Sequence, residues 1–216
     1  MSEKEKTKAF NEIWKNPIVS NAFEPGSTYK PFTVAAGLEE GILKGNETYY
    51  CDGYQKVGPH TIHCSHRSGH GLITLSQSIS LSCNDALMQI AAKEGKNVFA
   101  RYQKNFNFGN KTGIDLPGEA QTADLATSSF GQSFNCSMIQ MGSAFCSLIN
   151  GGNYYKPHVV KQLRSSNGEV VSNIEPTLVK QTISKETSDK LRKYMKETVD
   201  SGTGTKAKMK DYTAGG

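Results

Sequence analysis

Two short segments of this 216-residue chain carry the side-chain types that acyl transfer requires. In the first, Ser27 and Lys30 lie three positions apart, directly after Glu24-Pro25-Gly26 and just before the apolar run 33–38. A Pro-Gly pair ends the preceding chain and lets a turn lead into a new helix. Side chains three residues apart share one helix face. We therefore expect Ser27 Oγ and Lys30 Nζ to meet at the start of a buried helix.

The second segment is Ser82-Cys83-Asn84, which falls between two apolar helical stretches. A short loop between helices can direct polar groups into a cleft, where a second serine relays protons and an amide holds a substrate backbone. Two further Ser-x-Asn triplets, at 133–135 and 165–167, show that the spacing is not specific by itself. Position between apolar helices favours 82–84, and no second Ser-x-x-Lys competes with Ser27 and Lys30.

The elements that must position these residues are mainly helical. Ser2 and Glu5 have capping-box spacing at the start of a polar opening helix. Asn167-Gly168 predicts the turn of a hairpin over 158–175, and residues 177–183 predict a further short strand. We expect one helical unit with a minor sheet component, with helices at about 27–43, 74–81, 84–95, 97–105, 137–150 and 184–199.

Composition limits the function classes. The chain is 36% hydrophobic and 21% charged, which suits one sizeable globular core. Its net charge of +5 is spread thinly, without the dense basic stripe or recognised module of a nucleic-acid-binding protein. No run approaches the length of a membrane span. We expect no nucleic-acid partner.

Several segments in order resemble the transpeptidase domain of penicillin-binding proteins, of the monofunctional class B type used in division, elongation or sporulation. The resemblance covers most of the chain, and its segments are "NPIVSNAFEPGSTYKPF", "SGHGLITLSQSISLSCNDAL", "FGNKTGIDLPGEA" and "SSFGQSFNCSMIQMGSAFCSLINGGNYYKPHVV". It implies an α+β fold of the penicillin-binding protein/serine β-lactamase-like kind, of which the chain holds mostly the helical part.

The resemblance also implies roles for the two motifs. Ser27 would be the nucleophile toward the D-Ala-D-Ala end of a peptidoglycan stem peptide, with Lys30 as its base. Ser82 would relay a proton and Asn84 would hydrogen-bond the peptide. A β-lactam would acylate Ser27, and catalysis would need no cofactor. The implied setting is the extracytoplasmic face of the bacterial membrane, beside a glycosyltransferase partner.

The chain departs from the family pattern at its third motif, a Lys-Thr/Ser-Gly triplet on a strand that lines the cleft. The one such triplet here, Lys111-Thr112-Gly113, precedes the "FGQS" segment instead of following it, so we interpret it as a decoy. We expect the true motif to follow Gly216, and a pedestal and membrane anchor to precede residue 1. Residues 1–216 would then be a partial domain, incomplete at both ends and inactive alone.

A cluster of cysteines and histidines raises a separate question. Cys51 and Cys64 lie in a segment, 51–71, that holds all but one of the five histidines. The spacing of Cys51, Cys64, His66 and His70 allows a structural zinc site, with Asp52 as a substitute for one histidine. A Cys51–Cys64 disulfide and coincidence in a polar loop remain open. Cys83 is either reactive or packed.

Three function classes follow from these residues. A D,D-transpeptidase is favoured by the order of the motifs. A serine β-lactamase or β-lactam sensor of the same fold shares the chemistry of Ser27, Lys30 and Ser82. A zinc-stabilised module without catalysis is the third class, and failure of every β-lactam to acylate the full-length protein would favour it.

Overall fold

The computed structural model describes residues 1–120 and 134–216. The "FGQS" segment at 130–133 and the Ser133 end of one Ser-x-Asn triplet lie outside the described residues. The described helices are α1 Glu3–Trp14, α2 Pro17–Ser20, α3 Lys30–Glu39, α4 Leu75–Ser80, α5 Asn84–Asn105, α6 Met138–Ile149 and α7 Lys185–Asp200, with 3₁₀ turns at Gly26–Tyr29 and Thr205–Ala207.

The strands of the described residues form antiparallel pairs of two. Pairing joins β1 with β6, β2 with β5, β3 with β4, β7 with β10 and β8 with β9. Their bounds are β1 Ala22–Phe23, β2 Thr48–Cys51, β3 Tyr54–Val57, β4 His60–His63, β5 Gly71–Thr74, β6 Cys136–Ser137, β7 Asn153–Tyr155, β8 Gln162–Arg164, β9 Val170–Asn173 and β10 Leu178–Gln181. The predicted α+β class, mostly helical with a minor antiparallel component, is confirmed.

Most predicted elements form near their predicted places. The capping box of α1 is present, with Glu5 N–H bonded to Ser2 Oγ and Ser2 N–H bonded to Glu5. α5 joins the two helices predicted at 84–95 and 97–105, and Gly95, with φ of 73°, marks the break between them. The hairpin around Asn167-Gly168 forms from β8 and β9.

The first predicted helix is shorter than expected at both ends. Residues 26–29 form a 3₁₀ turn, and the α-helix begins at Lys30, where Pro31 occupies a first-turn position that needs no backbone donor. At the other end Gly41, with φ of 70°, takes the left-handed conformation that commonly ends a helix. Loop 51–71 is also more ordered than predicted, because the β3–β4 hairpin forms within it.

The core is built around α3, which is buried from Lys30 to Leu38. Tyr29 and Phe32 stack with ring centroids 5.3 Å apart, and Phe106 and Phe134 pack edge-on against this pair. Glu39 at the end of α3 accepts hydrogen bonds from Ser184 and Thr187 at the start of α7. These contacts fix α3 from both sides and thereby fix the position of Lys30.

None of the helices in residues 1–120 and 134–216 combines the length and apolar character needed to cross a bilayer.

Candidate active site

Ser27 lies on the exposed rim of the site. The 3₁₀ turn that carries it begins at Gly26, whose φ of 56° belongs to the left-handed region that glycine adopts without strain. Thr28 Oγ1 donates to the Pro25 carbonyl at 2.6 Å, which tightens the turn. The Ser27 side chain is exposed, one turn before the first α-helical residue, Lys30.

Lys30 is buried and connects the two motifs. The residue is 2% exposed, and Nζ donates to Ser82 O at 2.6 Å, to Ser82 Oγ at 2.8 Å and to Asn84 Oδ1 at 2.7 Å. Removal from water disfavours the ammonium form, so burial lowers the pKa of Lys30 to about 8. The geometry thus gives a lysine that exchanges its proton near neutral pH.

The predicted direct contact between Ser27 and Lys30 is replaced by another arrangement. All three N–H donors of the Lys30 ammonium are engaged by Ser82 and Asn84. Among the described residues no side-chain hydrogen bond of Ser27 is found. The ammonium turns inward because three partly buried acceptors on the second motif satisfy its donors better than one exposed hydroxyl does.

The second motif is held in a strained turn between α4 and α5. Ser82 has φ of 53°, which is unusual for a residue with a side chain, and such strain is often found at functional sites. Cys83 caps α5, with its Sγ accepting from Ala86 N–H at 3.5 Å. Asn84 Nδ2 donates to the His63 carbonyl at 3.3 Å. Ser82 and Asn84 therefore both turn toward Lys30.

A turn that follows α7 supports this motif from behind. Thr203 N–H donates to the Ser80 carbonyl at 2.9 Å. Gly202 lies so close that an added Cβ would be 2.2 Å from Ser80 O. Only glycine permits this approach of two backbones, so Gly202 has a packing role in addition to its place in the turn after α7.

The Lys111-Thr112-Gly113 triplet does not lie on a strand. The backbone N–H groups of Thr112 and Gly113 donate to the carboxylate of Glu119, in the loop that follows. This local loop structure agrees with the interpretation of the triplet as a decoy. Among the described residues, no Lys-Thr/Ser-Gly triplet lies on a strand beside Lys30.

Four sulfur and nitrogen groups converge directly beneath the second motif. The ligand atoms of Cys51, Cys64, His70 and Cys83 all lie within 4.8 Å of one another. Three of these four residues are ones that the sequence predicts as zinc ligands. The fourth predicted ligand, His66, lies outside the group, exposed and with Nε2 3.2 Å from Ser68 Oγ. Cys83 is the fourth member of the group in place of His66, and the spacing of residues in the loop did not indicate this.

Cys64 has the environment of a thiolate. Burial raises the pKa of its thiol, but backbone N–H groups of His66, Asp85 and Asn84 outweigh burial and lower the pKa to about 7. In the described residues all five cysteines are free, and Cys64 Sγ lies 3.8 Å from Cys83 Sγ. That separation is well beyond the ~2.05 Å of a disulfide bond.

Comparison with known proteins decides the family. The family model described as Penicillin binding protein transpeptidase domain matches residues 1–216. The chain belongs to the penicillin-binding protein transpeptidase family. The resemblance inferred from the motifs is therefore confirmed.

Relatives of this transpeptidase domain share modest identity. Stage V sporulation protein D of Bacillus subtilis is 35% identical over 214 residues, covering 94% of this chain and 33% of that protein. Peptidoglycan D,D-transpeptidase MrdA of Acinetobacter baumannii is 26% identical over 210 residues, covering 88% of this chain and 31% of that protein. The chain spans about a third of the length of these curated relatives.

Solved structures confirm the transpeptidase fold. The D,D-transpeptidase domain of a peptidoglycan glycosyltransferase from Eggerthella lenta superposes with a TM-score of 0.88 at 20% identity, covering 99% of this chain and 58% of that one. Penicillin-binding protein 3 of Mycobacterium tuberculosis, complexed with aztreonam, gives a TM-score of 0.80 at 23% identity, covering 90% and 47%. At these identities the likeness concerns the fold alone.

Proposed function

We propose that this domain supplies the acylation site of a peptidoglycan D,D-transpeptidase. The observation that carries the proposal is the buried ammonium of Lys30, hydrogen-bonded to Ser82 and Asn84. These residues are 52 and 54 positions away in the chain, yet their polar groups meet at one point. Family membership and relatives named as D,D-transpeptidases support the same reaction.

In the proposed reaction, Ser27 Oγ attacks the carbonyl carbon between the two D-alanines of a stem peptide. The hydroxyl proton leaves toward Lys30, which serves as the general base in its neutral form. The C–N bond then breaks, and the departing D-alanine amine takes up a proton. An amine of a neighbouring stem peptide attacks the ester, regenerates the Ser27 hydroxyl and forms the cross-link.

The hydrogen bonds around Lys30 support Ser82 as the proton relay. A neutral amine has two N–H donors and one lone pair. The Ser82 carbonyl and Asn84 Oδ1 only accept, so they retain the two N–H groups when Lys30 loses a proton. Ser82 Oγ can both accept and donate, so it is the partner of Lys30 that can pass a proton on. We therefore place Ser82 on the proton path between Lys30 and the leaving amine.

The remaining parts of the site are assigned by the same proposal. The backbone N–H of Ser27, at the start of the helical segment, is one donor of the oxyanion hole. Asn84 holds the stem-peptide backbone through its amide. A third-motif strand completes the cleft in the full-length protein, so the 216-residue chain alone would be inactive. No cofactor takes part in the acyl transfer.

The same function implies β-lactam ligands and a cellular location for the full-length protein. Solved complexes of Mycobacterium tuberculosis penicillin-binding protein 3 contain aztreonam or ampicillin, and we propose β-lactam acylation of Ser27 here. The full-length protein would act on the extracytoplasmic face of the bacterial membrane with a glycosyltransferase partner. A nucleic-acid partner is not expected, given the thinly spread charge of +5.

The experiment is release of D-alanine from a pentapeptide stem, with and without an acceptor amine. Full-length protein should release D-alanine and form the cross-linked product, and Ser27→Ala should do neither. A Thr28→Ala variant is the matched control, because Thr28 lies in the same 3₁₀ turn and, within residues 1–120 and 134–216, its hydroxyl bonds locally to the Pro25 carbonyl. Rapid penicillin turnover without cross-linking would identify a β-lactamase instead, and no reaction with stem peptide or β-lactam would favour a non-catalytic module.

A further inference from the structure

Four possible metal-ligand atoms converge beneath the second motif and have no role in the proposed acyl transfer. The group consists of Cys51 at the end of β2, Cys64 just after β4, His70 just before β5, and Cys83 at the start of α5. Three segments that are distant in sequence are thus brought to one point. Cys51, Cys64 and Cys83 are buried, and His70 is partly buried.

Three separations within the group match the edges of a zinc tetrahedron. Zn–S bonds of ~2.3 Å and Zn–N bonds of ~2.05 Å place tetrahedral sulfurs about 3.8 Å apart, and sulfur and nitrogen about 3.6 Å apart. Cys64 Sγ lies 3.8 Å from Cys83 Sγ. His70 Nδ1 lies 3.6 Å from Cys51 Sγ and 3.6 Å from Cys64 Sγ. These three distances therefore suit a single zinc ion bound within the group, whose four ligand atoms all lie within 4.8 Å of one another.

The loop 51–71, which carries three of the ligands, has backbone segments packed closely against each other. An added Cβ on Gly53 would be 2.2 Å from Arg67 O, and one on Gly69 would be 2.3 Å from Cys51 O. Cys64 N–H donates to the Gly53 carbonyl at 2.9 Å. Glycines at positive φ thus let the two sides of the loop close, and the closure directs Cys51, Cys64 and His70 inward.

We propose that Cys51, Cys64, His70 and Cys83 bind one structural zinc ion. Three thiolates and one imidazole form a closed Cys₃His shell, which leaves no open position for substrate and so suits a structural role. Cys83 stands between Ser82 and Asn84, the two residues that hold the Lys30 ammonium. The ion would fix the strained turn at Ser82 by tying it to β2 and to the loop after β4.

The test is the metal content of full-length protein purified without chelator. We expect about one zinc per chain, and Cys51→Ser, Cys64→Ser and His70→Asn should each lower that content severalfold. His66→Asn and Cys146→Ser are matched controls that should keep the metal, because His66 lies outside the group and Cys146 is exposed on α6.

A second measurement needs no variant, and so does not depend on variants that fold. Zinc is removed with a chelator and Co²⁺ alone is added, which should give the intense absorption of a tetrahedral thiolate site at one equivalent. The thiols of Cys51, Cys64 and Cys83 should resist alkylation with metal and react without it. Metal-free protein with a disulfide between any two of these cysteines would overturn the proposal, as would zinc loss in His66→Asn equal to that in His70→Asn. Neither readout depends on acylation of Ser27.

Discussion

The lowered pKa of Lys30 makes a quantitative prediction for the pH dependence of acylation. With a pKa of about 8, about 9% of Lys30 is neutral at pH 7, whereas about 0.03% would be neutral if its pKa were the ordinary 10.5. Burial thus increases the neutral base about 300-fold at pH 7. If neutral Lys30 is the base, the acylation rate rises with pH through the folded pKa.

The rise from pH 7 to pH 9 distinguishes a buried lysine from an ordinary one. A pKa of about 8 gives an increase of about tenfold that levels off above pH 9, whereas a pKa of 10.5 gives about a hundredfold with no plateau. The assay measures the acylated fraction of full-length protein by intact mass spectrometry, in samples quenched at successive times after mixing with a low concentration of β-lactam. Lys30→Arg keeps a positive charge that cannot be removed near neutral pH, so its rate should fall by about 10²–10⁴ and show no midpoint near pH 8. A flat wild-type profile, or an unchanged midpoint in Lys30→Arg, would refute the assignment of Lys30 as the base.

Two further predictions concern the second motif and the turn behind it. Ser82→Gly and Ser82→Ala both remove the relay hydroxyl, so both should lose acylation to the same extent. Because residue 82 has φ of 53°, the glycine variant should have a free energy of unfolding in urea about 1 kcal/mol higher than the alanine variant. Equal stability of the two variants would contradict the strain, and a normal rate in either would contradict the relay. Gly202→Ala should destabilise the full-length protein by about 1–3 kcal/mol, because its Cβ would be 2.2 Å from Ser80 O. Gly142→Ala, in α6 with nothing within 4 Å of the added Cβ, should be neutral or slightly stabilising, and equal melting temperatures of these two variants would refute the packing role of Gly202.

Local patterns in the sequence were sufficient to predict most elements and both motifs. Capping and turn signals act over a few residues, so the capping box at Ser2 and the hairpin at Asn167-Gly168 were readable directly. The predicted helix ends were less accurate where a single glycine terminates the helix. Gly41 ends α3 before the predicted position because its positive φ stops the helix.

Contacts between distant segments could not be predicted from spacing. Ser27 and Lys30 share a local face, which suggested a direct contact, but partly buried acceptors 52 and 54 residues away engage the ammonium instead. His66 had suitable spacing for a ligand, yet Cys83 enters the cluster because α5 begins against the loop. The signal that could have indicated this was a cysteine inside the second motif, in a chain with two others in the preceding loop.

The central claim is that Ser27 forms the acyl-enzyme, and locating a β-lactam label tests it most directly. Full-length protein is exposed to penicillin, digested, and its labelled peptide sequenced by mass spectrometry. We predict one adduct per chain, on Ser27, which disappears in Ser27→Ala and persists in Thr28→Ala. A label on Ser82 or Cys83, or a full label in Ser27→Ala, would contradict the account.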